Sequence, residues 1–169
     1  MNLPLYIISF LVLFFFNSDL ESVKRKSLKV GDPIPLFSLL DNEGNSFNSV
    51  DYIGKQPLVI FFYPKNNAPV CTTEACSFRD SFDKFEKLNA KVIGISPDHF
   101  LSHRAFIKKY NLPYTLLSDY NRVAHKLFGV SKRVTFVANK KGKIIFIFKN
   151  KKDAEMHTSE ALRALSEQF

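Results

Sequence analysis

The sequence predicts an α/β fold in which a mixed central sheet carries helices on both faces. Three observations predict it. The run PLVIFFYP, from Pro57 to Pro64, is apolar throughout, the pattern of a strand covered on both sides. Downstream, short strand-like runs alternate with segments of helical period, the order of a layered α/β domain. A final hairpin pattern then adds antiparallel strands to the parallel ones.

Each element has its own warrant. LFSLL (Leu36–Leu40), the turn DNEG and NSFN form a small hairpin, with Gly44 closing the turn. After the central strand, KNNAP is a loop. Ala75, Phe78, Phe82 and Phe85 recur at three- and four-residue spacing, which predicts one helix running to about Asn89. KVIGIS (Lys91–Ser96) is a strand. FLSHRAFIKKY (Phe100–Tyr110) is a helix, with Asp98 as its expected cap. YTLLSD is a short strand, and NRVAHKLFGV is a helix ending at Gly129, where a left-handed cap suits glycine. RVTFVAN, the turn KKG and KIIFIFKN form the second hairpin. DAEMHTSEALRALSEQF closes the chain as a helix with Leu162 and Leu165 facing inward.

At 169 residues the chain suits one domain, here residues 29–169, and 46% apolar residues suffice for a packed interior. The lead, residues 1–28, is read apart from it. Leu3–Phe16 (LPLYIISFLVLFFF) is shorter than the ~20 residues of a membrane-crossing helix and matches the apolar core of a secretory signal. The basic stretch KRKSLK follows it. The expectation is a signal or targeting segment, the first half of an organelle address of plastid type, with an uncleaved membrane anchor as the alternative.

The net charge of +8 is uneven: Asn121–Lys152 holds ten Lys or Arg and no acid. A solvated basic face is the expectation, and charge alone does not argue for nucleic acid, so no nucleic-acid partner is expected. Two cysteines are too few for a disulfide scaffold. No CxxC, HExxH or glycine-rich phosphate loop is present, so neither a metal nor a cofactor is expected.

Those two cysteines, Cys71 and Cys76, carry the chemistry. Cys71 follows the central strand in the first turn of a helix. Ligands of α/β sheets gather at the carboxyl ends of strands, and the free amides of a helix start favour a thiolate, the reactive form of a cysteine. Cys76 is five residues on. In a regular helix that separation puts the Cα atoms roughly 8–9 Å apart. A disulfide wants them within ~7 Å, so the pair bonds only if the helix start unwinds. The spacing suits a redox pair; two unrelated buried thiols remain the other reading.

FFYPKNNAPVCTTEACSFRD resembles the active-site segment of the atypical two-cysteine peroxiredoxins of the peroxiredoxin Q type, also called bacterioferritin comigratory proteins. The resemblance continues through VIGISPD, SHRAFIKKYNLPYTLLSD, KLFGV and RVTFV. It implies a thioredoxin-like fold and reduction of hydrogen peroxide and organic hydroperoxides with electrons from thioredoxin or a similar dithiol, in a monomer or weak homodimer. By position, Cys71 matches the peroxidatic cysteine, Cys76 the resolving cysteine, Pro64 and Pro69 the prolines of the active-site loop, and Arg133 the arginine that contacts thiolate and peroxide. The family pattern Pro-x-x-x-Thr/Ser-x-x-Cys is broken at Ala68, and the usual glycine before the nucleophile is Val70. Loss of one hydroxyl donor corresponds to ~1.5–3 kcal/mol, roughly ten- to a hundredfold in rate.

Three further residues have open roles. His99 and His103 stand four apart on one helical face, read as a surface pair before a metal site. Glu74 is either a base near Cys71 or a favourable charge in a helix's first turn. Tyr63 either lines the site or closes the strand end.

Overall fold

The computed structural model describes residues 27–150 and 152–168. The targeting or anchor segment therefore lies almost wholly outside the described residues. The strands are β1 (Ser38–Asp41), β2 (Ser46–Asn48), β3 (Leu58–Phe62), β4 (Lys91–Ser96), β5 (Thr115–Ser118), β6 (Val134–Ala138) and β7 (Ile144–Phe148). The helices are α1 (Pro69–Asp80), α2 (Phe82–Lys87), α3 (Phe100–Tyr110), α4 (Val123–Phe128) and α5 (Met156–Ser166).

One sheet contains all seven strands in the order β2-β1-β5-β4-β3-β6-β7. β3, β4 and β5 run parallel; the β1–β2 and β6–β7 hairpins and the β1–β5 and β3–β6 pairings are antiparallel. The expected mixed sheet is present, and the apolar run from Pro57 forms its centre.

Alternation along β3 divides the interior in two. Val59, Phe61 and the following Tyr63 face Ala75, Phe78, Phe85, Phe106, Ala161 and Leu165, the inward sides of α1, α2, α3 and α5. Leu58, Ile60 and Phe62 face Phe37, Phe47, Ala124 and Phe128, so α4 and the first hairpin cover the other face. Gly94 sits in register between Phe61 and Leu116. A Cβ there would lie 2.5 Å from the Leu116 side chain and 2.6 Å from the Phe61 ring, so both side chains depend on the glycine. Gly129 takes the left-handed cap of α4, at φ 64°.

Two local expectations are corrected. The helix predicted to continue to Asn89 breaks at Ser81, at φ −111° and ψ 10°. The Ser81 amide still reaches the Ser77 carbonyl, so the chain bends without losing the apolar spacing of Phe78, Phe82 and Phe85. Asp98 does not cap α3. His99 does, its Nδ1 accepting from the Leu101 amide at 3.4 Å. The Asp98 carboxylate is engaged elsewhere, by the Asn66 amide at 2.6 Å and the Ser96 hydroxyl at 3.2 Å.

Candidate active site

The site forms at the carboxyl end of β3, where the loop Tyr63–Ala68 delivers the chain to the start of α1. Pro69 is the first helical residue, and a proline there forgoes an amide that no carbonyl would have met. Ala68 occupies the cap position and offers no side-chain acceptor. The first amide with a backbone partner is that of Thr72, bonded to the Ala68 carbonyl at 2.9 Å. The amides of Val70 and Cys71 have no backbone acceptor among the described residues.

Cys71 is the third residue of α1 and is 3% exposed. Arg133, immediately before β6, is also buried, and its Nη2 donates to the Cys71 Sγ at 3.2 Å. Its Nη1 donates to the Glu74 Oε2. One guanidinium thus joins the sulfur to a fully buried carboxylate. A buried charge is tolerable only when paired and hydrogen-bonded, and this arrangement supplies both partners at once. Arg133 stands apart from the rest of the basic run: Arg122, Lys126, Lys132, Lys140, Lys141, Lys143, Lys149 and Lys152 are exposed, as expected of a solvated face.

Cys76 is half-buried and opens into a shallow cleft of about 420 Å³ lined also by Ser77, Asp80 and Glu155. Both cysteines are free thiols, and α1 is continuous from one to the other. Pro64 lies in the loop that follows β3 and is exposed. Of the two readings of Glu74, the first-turn charge is corrected: it lies beyond the first turn of α1, and its side chain turns inward onto Arg133.

Tyr63 continues the inward alternation of β3. Its hydroxyl donates to the Asn66 Oδ1 at 2.8 Å, and the Asn66 Nδ2 donates to the Ser102 Oγ at 2.9 Å and to the His103 Nδ1 at 3.1 Å. Burial pushes His103 down to about 4, so its ring is neutral and accepts at Nδ1. His103 is therefore not half of a surface pair with His99; it is a core histidine that pins the loop ahead of Cys71. Its place was signalled by spacing, since Phe106 and Tyr110 follow it on the same stripe of α3.

Thr135 and His157 had no sequence signal. The His157 Nδ1 lies 2.7 Å from the Thr135 Oγ1 and 3.6 Å from the Glu74 Oε1, while its Nε2 faces the Asn150 carbonyl at 2.8 Å. They form the floor beneath the Arg133–Glu74 pair.

Residues 30–147 match the model of the AhpC/TSA family. The chloroplastic peroxiredoxin Q of Populus jackii is 43% identical over 157 residues, covering 88% of this chain and 73% of the relative. That of Sedum lineare is 42% identical over 162 residues, covering 89% and 87%. Among solved structures, peroxidoxin BcpB from Mycobacterium tuberculosis superposes with a TM-score of 0.79 at 31% identity, covering 83% of this chain and 97% of that one. The bacterioferritin comigratory protein of Xanthomonas campestris, studied for its alkyl peroxide reduction activity, gives 0.75 at 27%, covering 81% and 99%. Sequence and fold agree over the same span, and the thioredoxin-like architecture expected from the cysteine segment is the one observed. The chain belongs to the AhpC/TSA family and is a peroxiredoxin of the peroxiredoxin Q type, a thiol peroxidase.

Proposed function

We propose that Cys71 is the peroxidatic nucleophile, Cys76 the resolving thiol and Arg133 the group that stabilises thiolate and peroxide, within a loop that Pro64 opens. The Cys71 thiolate attacks the terminal oxygen of a hydroperoxide. An S–O bond forms, the O–O bond breaks, and the departing alkoxide or hydroxide takes a proton and leaves as alcohol or water. The sulfur is now a sulfenic acid. Cys76 condenses with it, releasing water and leaving an intramolecular disulfide. A thioredoxin-type dithiol restores both thiols by exchange, through the cleft into which Cys76 opens. Substrates are hydrogen peroxide and organic hydroperoxides.

The observation that carries the reading is the Arg133 Nη2 at 3.2 Å from the Cys71 Sγ, at a helix start whose leading amides are free. The test is peptide mapping of the full chain after one equivalent of peroxide. A Cys71–Cys76 cross-link within one chain, removed by thioredoxin, is the expected result. Its absence, or a bond between chains, overturns the resolving role.

A slower enzyme, or a sensor that passes its disulfide to a partner, is favoured by one observation. Ala68 leaves the helix start without the cap that a threonine or serine would provide. Ala68→Thr is expected to stabilise the fold by about 0.5–2 kcal/mol, as cap substitutions do. It is also expected to raise the rate constant with peroxide roughly tenfold or more, read by stopped-flow. Neither Thr73, whose hydroxyl is bonded to the Pro69 carbonyl at 3.2 Å, nor Thr72, whose buried hydroxyl has no partner among the described residues, already fills that role. An unchanged rate would refute the assignment of that deficit to Ala68.

For location, the chloroplastic relatives and the apolar lead support passage through the secretory route to a plastid-type organelle, with membrane anchoring as the alternative. The protein is proposed to act as a monomer or weak homodimer.

A further inference from the structure

We infer that Glu74 is a latch on the resolving step: it positions Arg133 on the Cys71 sulfur while α1 is wound, and it must release that arginine before Cys76 can arrive. The inference rests on the proposed resolving role of Cys76. Glu74 lies inside the span that has to unwind, between the two thiols in chain order. Its side chain is 0% exposed, and its Oε2 holds the Arg133 Nη1 while the Arg133 Nη2 holds the sulfur. The segment therefore cannot leave the helix without breaking the ion pair that aims the guanidinium.

The second carboxylate oxygen is the unusual feature. The Glu74 Oε1 is buried and has no hydrogen-bond partner among the described residues, although the His157 Nδ1 is 3.6 Å away. Burial holds His157 below its ordinary value; the hydrogen bond to the Asn150 carbonyl opposes this, the charge of Arg133 adds to it, and Asp153 opposes it again. The neutral ring donates from Nε2 to the Asn150 carbonyl and accepts the Thr135 hydroxyl at Nδ1. It offers Glu74 a lone pair where a proton would be needed. Glu74 is thus bound tightly through one oxygen and left bare at the other. Losing Arg133 inside the core would strand a charge, whereas unwinding carries the carboxylate into water. The pair breaks with the helix or not at all.

Oxidation tightens the latch. While Cys71 is a thiolate, two anions share Arg133. Once the sulfur is a neutral sulfenic acid, Glu74 is the only anion left on the guanidinium. The pair is strongest when Cys76 has to arrive, and resolution waits on its rupture. A sulfenic acid that waits is open to a second hydroperoxide, which oxidises it to sulfinic acid and leaves as alcohol or water.

The test is Glu74→Gln in the full chain, with sulfenic acid, disulfide and sulfinic acid each followed by rapid quench and mass spectrometry. The amide fills the same space without the charge. Sulfenic acid formation is expected to slow about three- to tenfold, because Arg133 loses its anchor, and disulfide formation to accelerate about tenfold or more. The sulfinic fraction per turnover falls. Thr73→Gly is the control, an exposed position in the same span. It weakens the helix without touching Arg133, so it speeds the second step modestly and leaves the first unchanged. If the glutamine variant does not fold, Glu74→Asp, one methylene too short for the same contact, is expected to give the same two signs. A disulfide step unchanged or slowed, with the Cys71–Cys76 bond still forming, overturns the latch and leaves Glu74 a scaffold residue. If the unsubstituted protein forms no Cys71–Cys76 bond, the resolving role falls and the latch with it. The two failures are thereby told apart.

Discussion

Cys71→Ser is expected to reduce peroxide consumption to the background of the buffer while leaving the fold in place. The reason lies in the electron balance. Cleavage of the O–O bond needs a two-electron donor that can form a stable bond to oxygen, and an alcohol oxygen is not one. Sulfur supplies the pair only as thiolate, and no other thiol is placed to substitute. Among the described residues no guanidinium is hydrogen-bonded to Cys76, whereas Arg133 donates to the Cys71 sulfur. The variant separates chemistry from stability. A hydroxyl in a site 3% exposed costs about 1–3 kcal/mol when it is unpaired. Here it inherits the Arg133 donor, so the loss of folding stability is expected at or below the lower end of that range. Stopped-flow consumption of hydrogen peroxide beside a thermal melt measures both. Retained turnover in a folded variant would remove Cys71 from the reaction altogether.

That outcome also bears on what the chain discloses before it is folded. β3 was legible because an unbroken apolar run bounded by prolines has few alternatives, and the start of α1 was legible because a loop rich in turn residues leads to Pro69. The cysteine spacing then made a statement about geometry that the observed helix sustains: both thiols lie on one continuous α1. The bend at Ser81 was hidden because neither glycine nor proline marks it and the bonds of Ser81 preserve the helical repeat across it. Asp98 was assigned to a cap by its type and position, but the Asn66 amide, 32 residues earlier in the chain, claims its carboxylate. The same limit applies to Glu74 and His157. Each looks like an ordinary helix residue until β6 brings Arg133 and Thr135 against it. Long-range pairing of buried polar groups leaves little local pattern, whereas apolar periodicity leaves a strong one. Arg133 could be separated from its basic neighbours only through the family resemblance.

Cys76→Ser is expected to consume about one equivalent of peroxide per chain rapidly and a second only slowly, because in the proposed cycle the reductant acts on the Cys71–Cys76 disulfide. The structure sets the terms on which the wild-type thiols can meet. The C-terminal half of α1 is firmly held: Phe78 is fully buried and stacks on Phe61 at 4.4 Å, and the Arg79 Nη1 donates to the Tyr110 carbonyl at 2.8 Å. Burial of a phenylalanine of this kind contributes about 1.5–3 kcal/mol, so unwinding proceeds more readily from the N-terminal side, where Ala68 leaves the helix uncapped. The segment that has to move is then the stretch from Cys71 to Cys76, and its release includes the Ala75 carbonyl, which accepts the Tyr114 hydroxyl at 2.7 Å. Without the second sulfur the sulfenic acid persists. It is expected to be captured by dimedone in high yield and, with excess peroxide, to advance to sulfinic acid, while steady thioredoxin-coupled turnover falls to background. A single burst followed by normal steady turnover would mean that an external thiol resolves Cys71 directly. Unwinding of α1 would then have no part in the cycle.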